Sequence, residues 1–132
     1  MSKQDLLNNS IVKEVFSQNG LNSRITYYTN PRTNITIETT ECYKNGELNT
    51  VKTTIFENGV KVETRDLFYK NMCAKPTIIS MIVEEFILGK TTTITYYPTG
   101  AIRSKVIWLN KCKQSEQIYT EDGSIKMEKI IF

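Results

Sequence analysis

The sequence predicts an all-β protein, an antiparallel meander of about nine or ten strands built from repeated hairpins. Three observations predict it: turn signals recur at a steady interval, β-branched and aromatic residues fill the segments between them, and several segments alternate apolar and polar side chains. A sheet of that many strands curls. We therefore expect a curled sheet or a barrel-like closure, with at most one short helix.

The turn signals follow one another roughly 13 residues apart, which leaves room for one strand between each pair. Asn-Gly and Asp-Gly favour two-residue hairpin turns because Gly adopts a positive φ freely and Asn or Asp tolerates one. The signals are Asn19-Gly20, Asn30–Asn34, Asn45-Gly46, Asn58-Gly59, Lys70–Met72, Leu88–Lys90, Thr99-Gly100, Asn110-Lys111 and Asp122-Gly123.

The segments between the turns have strand composition. Ile35 and Ile37 alternate with Thr36 and Glu38, and the same period of two continues through Ile102–Trp108. Such alternation is typical of an antiparallel sheet with one apolar face. The clearest predicted strands are Arg24–Thr29, Ile35–Cys42, Val51–Phe56 and Thr91–Tyr97.

The segment Ile78–Leu88 is more continuously apolar than the others. It is either a fully buried strand or a short helix that begins after Pro76, and its β-branched residues favour the strand. In both cases we expect this segment to lie at the centre of the core.

We expect a single domain over residues 1–132, with a poorly patterned segment at 1–15 and hairpin repeats over 16–128. Ser2 could cap a short helix that carries Leu6 and Leu7. The C-terminal segment Ile130–Phe132 is apolar, so it is expected to dock into the core or to complete a sheet edge.

Two stretches repeat one pattern: an aromatic residue, a short turn that closes on Gly, an aliphatic residue two positions later, and a cation. They are Tyr96–Arg103 and Ile118–Lys126, and weaker copies lie at Phe16–Arg24, Tyr43–Val51 and Phe68–Met72. The pattern resembles the MORN-like variant repeats of bacterial antitoxins of the YwqK type. The resemblance implies stacked hairpins that bury their apolar faces against their neighbours. The Gly pair of the family's return hairpin is missing, since Asn110–Gln114 stands in its place.

The composition is that of a soluble globular protein, with 39% hydrophobic and 23% charged residues. The net charge of +3 is spread along the chain and gives no strong signal for nucleic acid. No apolar run is long enough for a membrane helix, and the N-terminus lacks the pattern of a signal peptide. Three widely spaced cysteines do not form a disulfide framework. We therefore expect a cytoplasmic protein.

No set of residues indicates a catalytic, metal or cofactor site. The chain has no His, the commonest general base and zinc ligand. Glu84 and Glu85 would point to opposite faces of a strand, which excludes a paired-carboxylate site. Cys112 lies between Lys111 and Lys113, which would favour a thiolate if it is exposed, but no base accompanies it. We predict that the protein is not an enzyme.

The aromatic residues are the candidates for binding, because aromatic side chains dominate the energetics of interfaces. Tyr27-Tyr28 and Tyr96-Tyr97 precede turns and could stack against an aromatic ligand, although tyrosines in sheets more often pack across strands. The full candidate set is Trp108, Tyr119, Tyr96, Tyr97, Tyr27, Tyr28, Phe68 and Arg103.

We predict a non-enzymatic protein-binding module of the inhibitor, immunity-protein or antitoxin type, such as those that phages and viruses encode, that occludes a partner protein. The alternative is a β-barrel carrier that sequesters a small ligand such as a lipid or a nucleotide, with Arg24, Arg65 or Arg103 holding an anionic group. A binding protein needs an exposed apolar or aromatic patch, whereas a carrier needs a closed barrel with a cavity.

Overall fold

The computed structural model describes residues 10–18, 20–72 and 75–131. These residues form ten β-strands and no helix. The strands are β1 (Ser10–Ser17), β2 (Gly20–Asn30), β3 (Ile35–Lys44), β4 (Glu47–Glu57), β5 (Val60–Met72), β6 (Lys75–Glu85), β7 (Lys90–Tyr96), β8 (Ile102–Leu109), β9 (Cys112–Tyr119) and β10 (Ile125–Ile130).

The ten strands form one antiparallel sheet in chain order, so every strand pairs with its neighbours in sequence. The sheet is open, with β1 and β10 as its two edges. The all-β meander predicted from the sequence is therefore confirmed, as an open sheet and not a closed barrel. The predicted C-terminal edge is present too, since Ile130 ends β10 and the Ile131 amide donates to the Gln114 carbonyl at 2.6 Å.

The continuously apolar segment lies in β6 up to Glu85, as the favoured interpretation predicted, so the helix alternative is wrong. Phe86 to Gly89 form the turn that follows. Glu84 pairs with Thr64 and Glu85 pairs with Glu63, which places the two carboxylates on opposite faces as expected. Contrary to the expectation of a buried strand, every residue of β6 keeps part of its surface accessible.

The reason is that the described residues form a single layer. Among them Tyr28 is the only buried hydrophobic side chain, and the other buried residues are threonines, Thr54, Thr64 and Thr92. The chain exposes 9128 Å², whereas a compact monomer of this mass exposes about 7,000 Å². Because no second layer of described residues packs against the sheet, both of its faces are accessible. The described residues therefore lack the buried core that was expected around Ile78–Leu88.

The register assigns each side chain to one of two faces. We define the front face as the one that carries Tyr28 and the back face as the other. A row of apolar residues crosses the middle of the front face, because Val51 pairs with Leu67, Leu67 with Met81, and Met81 with Ile94. The corresponding row on the back face is rich in hydroxyl groups; it consists of Thr50, Phe68, Ser80, Thr95 and Ser104. The front face is thus the apolar side of an amphipathic sheet.

The expected N-terminal helix at Ser2, Leu6 and Leu7 lies outside the described residues, as do Asn19 and Phe132. The predicted turn at Lys70–Met72 is wrong, because these residues belong to β5 and pair with β6. The described Asn-Gly turns have the predicted chemistry. At Asn45-Gly46 and Asn58-Gly59 both residues have positive φ, with values of 53° and 78° in the first turn and 52° and 79° in the second. At the equivalent turn between β8 and β9, Lys111 has a φ of 67°, a left-handed conformation without the freedom of glycine.

Lys111→Gly should therefore stabilise the protein by about 1 kcal/mol, the order of the cost of a left-handed conformation for a residue with a Cβ. The matched control is Gly59→Lys, which places a lysine at the same position of the other turn. A Cβ at Gly59 meets no atom within 4 Å, so only backbone strain is added and a loss of similar size is expected. Urea denaturation of both variants measures the two effects. A destabilised Lys111→Gly would contradict the turn geometry.

Candidate functional site

An unbroken stripe of alternating aromatic and aliphatic side chains crosses one end of the front face. Each hairpin contributes one directly paired aromatic and aliphatic residue, and all five pairs lie at the end of the sheet where odd-numbered strands finish. The pairs are Phe16 with Leu21, Tyr43 with Leu48, Tyr69 with Ile78, Tyr96 with Ile102, and Tyr119 with Ile125. We call these ten residues the aromatic stripe.

The same local structure positions every pair of the stripe. In each of the five hairpins a β-bulge follows directly behind the pair, so the return strand has one additional residue there. In the hairpin of β7 and β8, for example, Tyr96 pairs with Ile102 and Thr95 pairs with Ser104, which leaves Arg103 as the additional residue. Tyr96 lies two positions after Ile94 in β7, so the two side chains are on the same face of the sheet. Ile94 belongs to the apolar row of the front face. The repeat therefore sets both the side and the end of the sheet at which the aromatic residue lies.

The hydroxyl groups of two stripe tyrosines are held by the residue two positions earlier on the same face. Tyr43 donates to Glu41 Oε2 at 2.7 Å, and Tyr119 donates to Gln117 Oε1 at 2.7 Å. The hydrogen bond to Glu41 and partial burial raise the pKa of Tyr43 above its ordinary value of 10. These bonds direct both side chains back along their strands, so that their rings lie over the front face.

The edge of the front face beside β1 carries a charge network. Arg24 Nη2 lies 3.1 Å from Glu14 Oε2, and Arg24 Nη1 lies 3.8 Å from Glu41 Oε1. Because Glu41 also accepts from Tyr43, the network connects three strands to the stripe. These groups are partly exposed, so their role is to fix geometry more than to add stability.

The last two hairpins are connected at the same end of the sheet. The Tyr97 hydroxyl donates to the Tyr119 carbonyl at 2.6 Å. In the turn that follows Tyr119, Asp122 accepts from the Thr120 hydroxyl and from the Ser124 amide, which lowers the pKa of Asp122 to about 2. Asp122 therefore serves turn geometry, as the sequence suggested.

The residues predicted for binding do not form one site, because they lie on both faces and at both ends of the sheet. Tyr96 and Tyr119 are members of the aromatic stripe, and Tyr97 and Arg103 lie beside it at hairpin tips, Arg103 being exposed. Tyr28 is on the front face, but near the opposite end of the sheet and buried. The remaining three candidates lie on the back face; they are Tyr27, Phe68 and Trp108.

Of the ten stripe residues, the sequence analysis predicts only Tyr96 and Tyr119 for binding, so it misses three of the five aromatic residues and all five aliphatic ones. Tyr43 and Tyr69 were not selected, and Phe68 was chosen in place of its neighbour Tyr69, which lies on the other face. The signal that identifies them is an aromatic residue at 16, 43, 69, 96 and 119, with intervals of 26 or 27 residues and a last interval of 23. That interval is the length of one hairpin, whereas the turns alone mark single strands.

Other chemistry is sparse in the part of the chain that the structure describes. No three His, Cys, Asp or Glu side chains are grouped so that they could hold a metal ion. Cys112 is a free, exposed thiol at the start of β9. The described residues contain no helix with the length and hydrophobicity that a bilayer crossing requires.

Comparison with known proteins adds little. No protein-family model matches the sequence, and no curated protein matches it either. A crystal structure of a protein of unknown function from Bacteroides fragilis is similar over 92% of this chain and 91% of that chain, with 11% sequence identity and a TM-score of 0.33. A TM-score of this size supports no conclusion about fold or function. The resemblance to MORN-like antitoxin repeats stays a prediction.

Proposed function

We propose that the chain is a non-enzymatic protein-binding module of the inhibitor, immunity-protein or antitoxin type, which acts in the cytoplasm by holding a partner protein on its front face. The observation that carries the proposal is the aromatic stripe. Aromatic residues are the commonest anchors of protein interfaces, and here they form a row beside an apolar surface that no other described element covers.

The accessible area supports the same conclusion. The chain exposes about 2,000 Å² more than a compact protein of its mass. A standard interface buries about 800 Å² on each partner. This excess includes both faces of the sheet and is larger than the area that one partner contributes to a standard interface. On the front face, the central row of Val51, Leu67, Met81 and Ile94 would supply the water-excluded part, with the stripe along one side.

The carrier alternative places its ligand inside a closed barrel. The open edges at β1 and β10 favour a surface for a macromolecule over an enclosed cavity for a small ligand. The proposal therefore places the partner on a face of the sheet.

Tyr69→Ala is expected to weaken partner binding by about 30-fold, which corresponds to about 2 kcal/mol for one aromatic anchor. The matched control is Trp108→Ala, which removes a larger aromatic side chain from the back face and should leave the affinity unchanged. The tagged wild type and both variants are used for affinity capture from the native cytosol, and the affinity of the recovered stoichiometric protein is then measured by calorimetry.

Thermal unfolding of the two variants shows whether each is still folded, so that loss of binding is not confused with loss of structure. The proposal is contradicted if Trp108→Ala loses the partner while Tyr69→Ala keeps it. It is also contradicted if a small molecule co-purifies and no protein does.

A further inference from the structure

The strand pairs that join one hairpin to the next share one register. They are β2–β3, β4–β5, β6–β7 and β8–β9. In each of them, the residue just before the aromatic residue of the stripe pairs with the residue two positions after the aliphatic residue of the preceding hairpin. The pairs are Cys42 with Ser23, Phe68 with Thr50, Thr95 with Ser80, and Ile118 with Ser104. The repeat therefore specifies how a further hairpin would join the sheet.

The edge strands β1 and β10 are the places where a further hairpin could join. Among the described strands β1 pairs only with β2, and β10 pairs only with β9. Both edges carry large apolar side chains that are between 42% and 67% exposed; they are Ile11, Val12, Val15 and Phe16 in β1, and Ile125, Met127 and Ile130 in β10. An exposed apolar edge strand is a template for pairing with another chain.

A second copy of the chain offers the matching edge. Strands that are neighbours in the sheet run in opposite directions, so β1 of a second copy in the same orientation would be antiparallel to β10. The register of the repeat then pairs Met127 with Val15, and Ile130 with Val12. Every strand keeps its face, and Ile125 lies beside Phe16, which continues the alternation of the stripe. The two edges are therefore matched in direction, in register and in apolar side chains.

The same register places like charges opposite each other. Glu128 would pair with Glu14 on the front face. Lys129 would pair with Lys13 on the back face. Like charges that are directly opposite in a sheet are destabilising. Arg24 Nη2 lies 3.1 Å from Glu14 Oε2 and offsets the first pair, whereas neither lysine forms an ion pair with a described residue. The two lysines are therefore the stronger barrier.

Other registers avoid the like charges but lose the apolar match. A shift by one residue transfers the side chains of the added strand to the opposite face. A shift by two residues places Glu128 opposite Val12 or Phe16 and displaces Ile125 from its position beside the stripe. The register of the repeat is thus the one that the apolar side chains favour.

We propose that the two edges form a head-to-tail joint for a second copy of this chain, and that the like charges across the joint keep wild-type chains apart. This inference goes beyond the proposed function and does not rest on it, because it concerns the edges of the sheet and not the front face. Since the joint preserves the face of every strand, joined copies present their front faces on the same side.

The test is sedimentation velocity of the full chain and its variants at about 0.05 M salt, where exposed charges are weakly screened. Lys13→Glu places opposite charges across the joint, and so does Lys129→Glu, whereas the double variant restores like charges. We expect each single variant to associate with a dissociation constant at least about 10-fold lower than that of the wild type or the double variant.

Lys13→Glu is the primary variant, because Lys13 pairs with the uncharged Ile25 within its own chain. Lys129 pairs with Glu116, so Lys129→Glu also adds repulsion within the chain. The control Lys70→Glu makes the same change in net charge on β5, away from both edges, and should sediment as the wild type does. Circular dichroism shows whether each variant is folded.

Salt and hydrogen exchange identify the joint. Salt screens repulsion and attraction alike, so about 0.5 M salt should strengthen the association of the wild type and weaken that of Lys13→Glu. In the associated variant, the amides of β1 and β10 should gain protection from hydrogen exchange. Tyr69→Ala, introduced into Lys13→Glu, should leave the association unchanged.

Three results would overturn the inference. The first is that both single variants stay as dispersed as the wild type, and the second is that the double variant associates as tightly as they do. The third is association that Tyr69→Ala abolishes, which would assign the second copy to the front face. If neither lysine variant associates while a captured partner depends on Tyr69, this inference is wrong and the proposed function stands.

Discussion

Tyr28→Ala is expected to lower the free energy of unfolding by about 3 kcal/mol, as for other buried aromatic side chains truncated to alanine. Tyr28 is 7% exposed and lies on the front face between Ser10 of β1 and Ile37 of β3. Because the described residues form one layer, few other side chains can compensate for its removal. Urea denaturation followed by circular dichroism measures the effect.

The control for this prediction is the neighbouring residue. Tyr27→Ala removes the same side chain from the back face, where Tyr27 is half-exposed and pairs with Ile11 and Glu38. Its loss should cost about 1 kcal/mol, as for a typical substitution at a partly exposed position. Equal losses of stability in the two variants would contradict the difference in burial between Tyr28 on the front face and Tyr27 on the back face.

Removing a whole hairpin should disturb folding less than removing a single residue from the middle of a strand. Deletion of residues 44–69 joins Tyr43 to Lys70 and removes one complete repeat, so that Tyr43 would pair with Ile78 as Tyr69 does. Every strand contacts its neighbours in chain order, and the remaining eight strands keep their faces. We expect this variant to unfold cooperatively, with an m-value lower by about one fifth because less surface becomes exposed.

Deletion of Thr53 alone should abolish the cooperative transition. Thr53 lies in the middle of β4, and its loss moves one half of the strand by one position relative to β3 and β5. A shift of one residue transfers every side chain of that half to the opposite face. If the one-residue deletion unfolds like the wild type while the hairpin deletion does not fold, the two-strand hairpin is not the repeating unit of the sheet.

The sequence was sufficient to predict the strands, because each feature that predicts them is local. Asn45-Gly46 and Asn58-Gly59 have the positive φ values that their chemistry favours, and the alternating segments became strands with the expected faces. The strand at Ile78 was favoured for the same reason, since its β-branched residues disfavour a helix.

The candidate site was less predictable, because its arrangement depends on the whole sheet. Tyr27-Tyr28 and Tyr96-Tyr97 both precede turns, but β2 and β7 run in opposite directions, so the two pairs lie at opposite ends of the sheet. The choice between Phe68 and Tyr69 depends on the register around a bulge, which no single strand reveals. Apolar content also does not predict that the described residues form a single layer, since an apolar face predicts burial without showing which element provides it.

The central claim is that the front face, and not the back face, is the interface. Hydroxyl-radical footprinting with mass spectrometry tests it most directly, because aromatic side chains on both faces report in one sample. With the captured partner bound, we expect Tyr43, Tyr69 and Tyr96 to be protected from oxidation, while Tyr27 and Trp108 react as in the free protein. Protection of Tyr27 and Trp108 with unchanged reactivity along the aromatic stripe would contradict the claim.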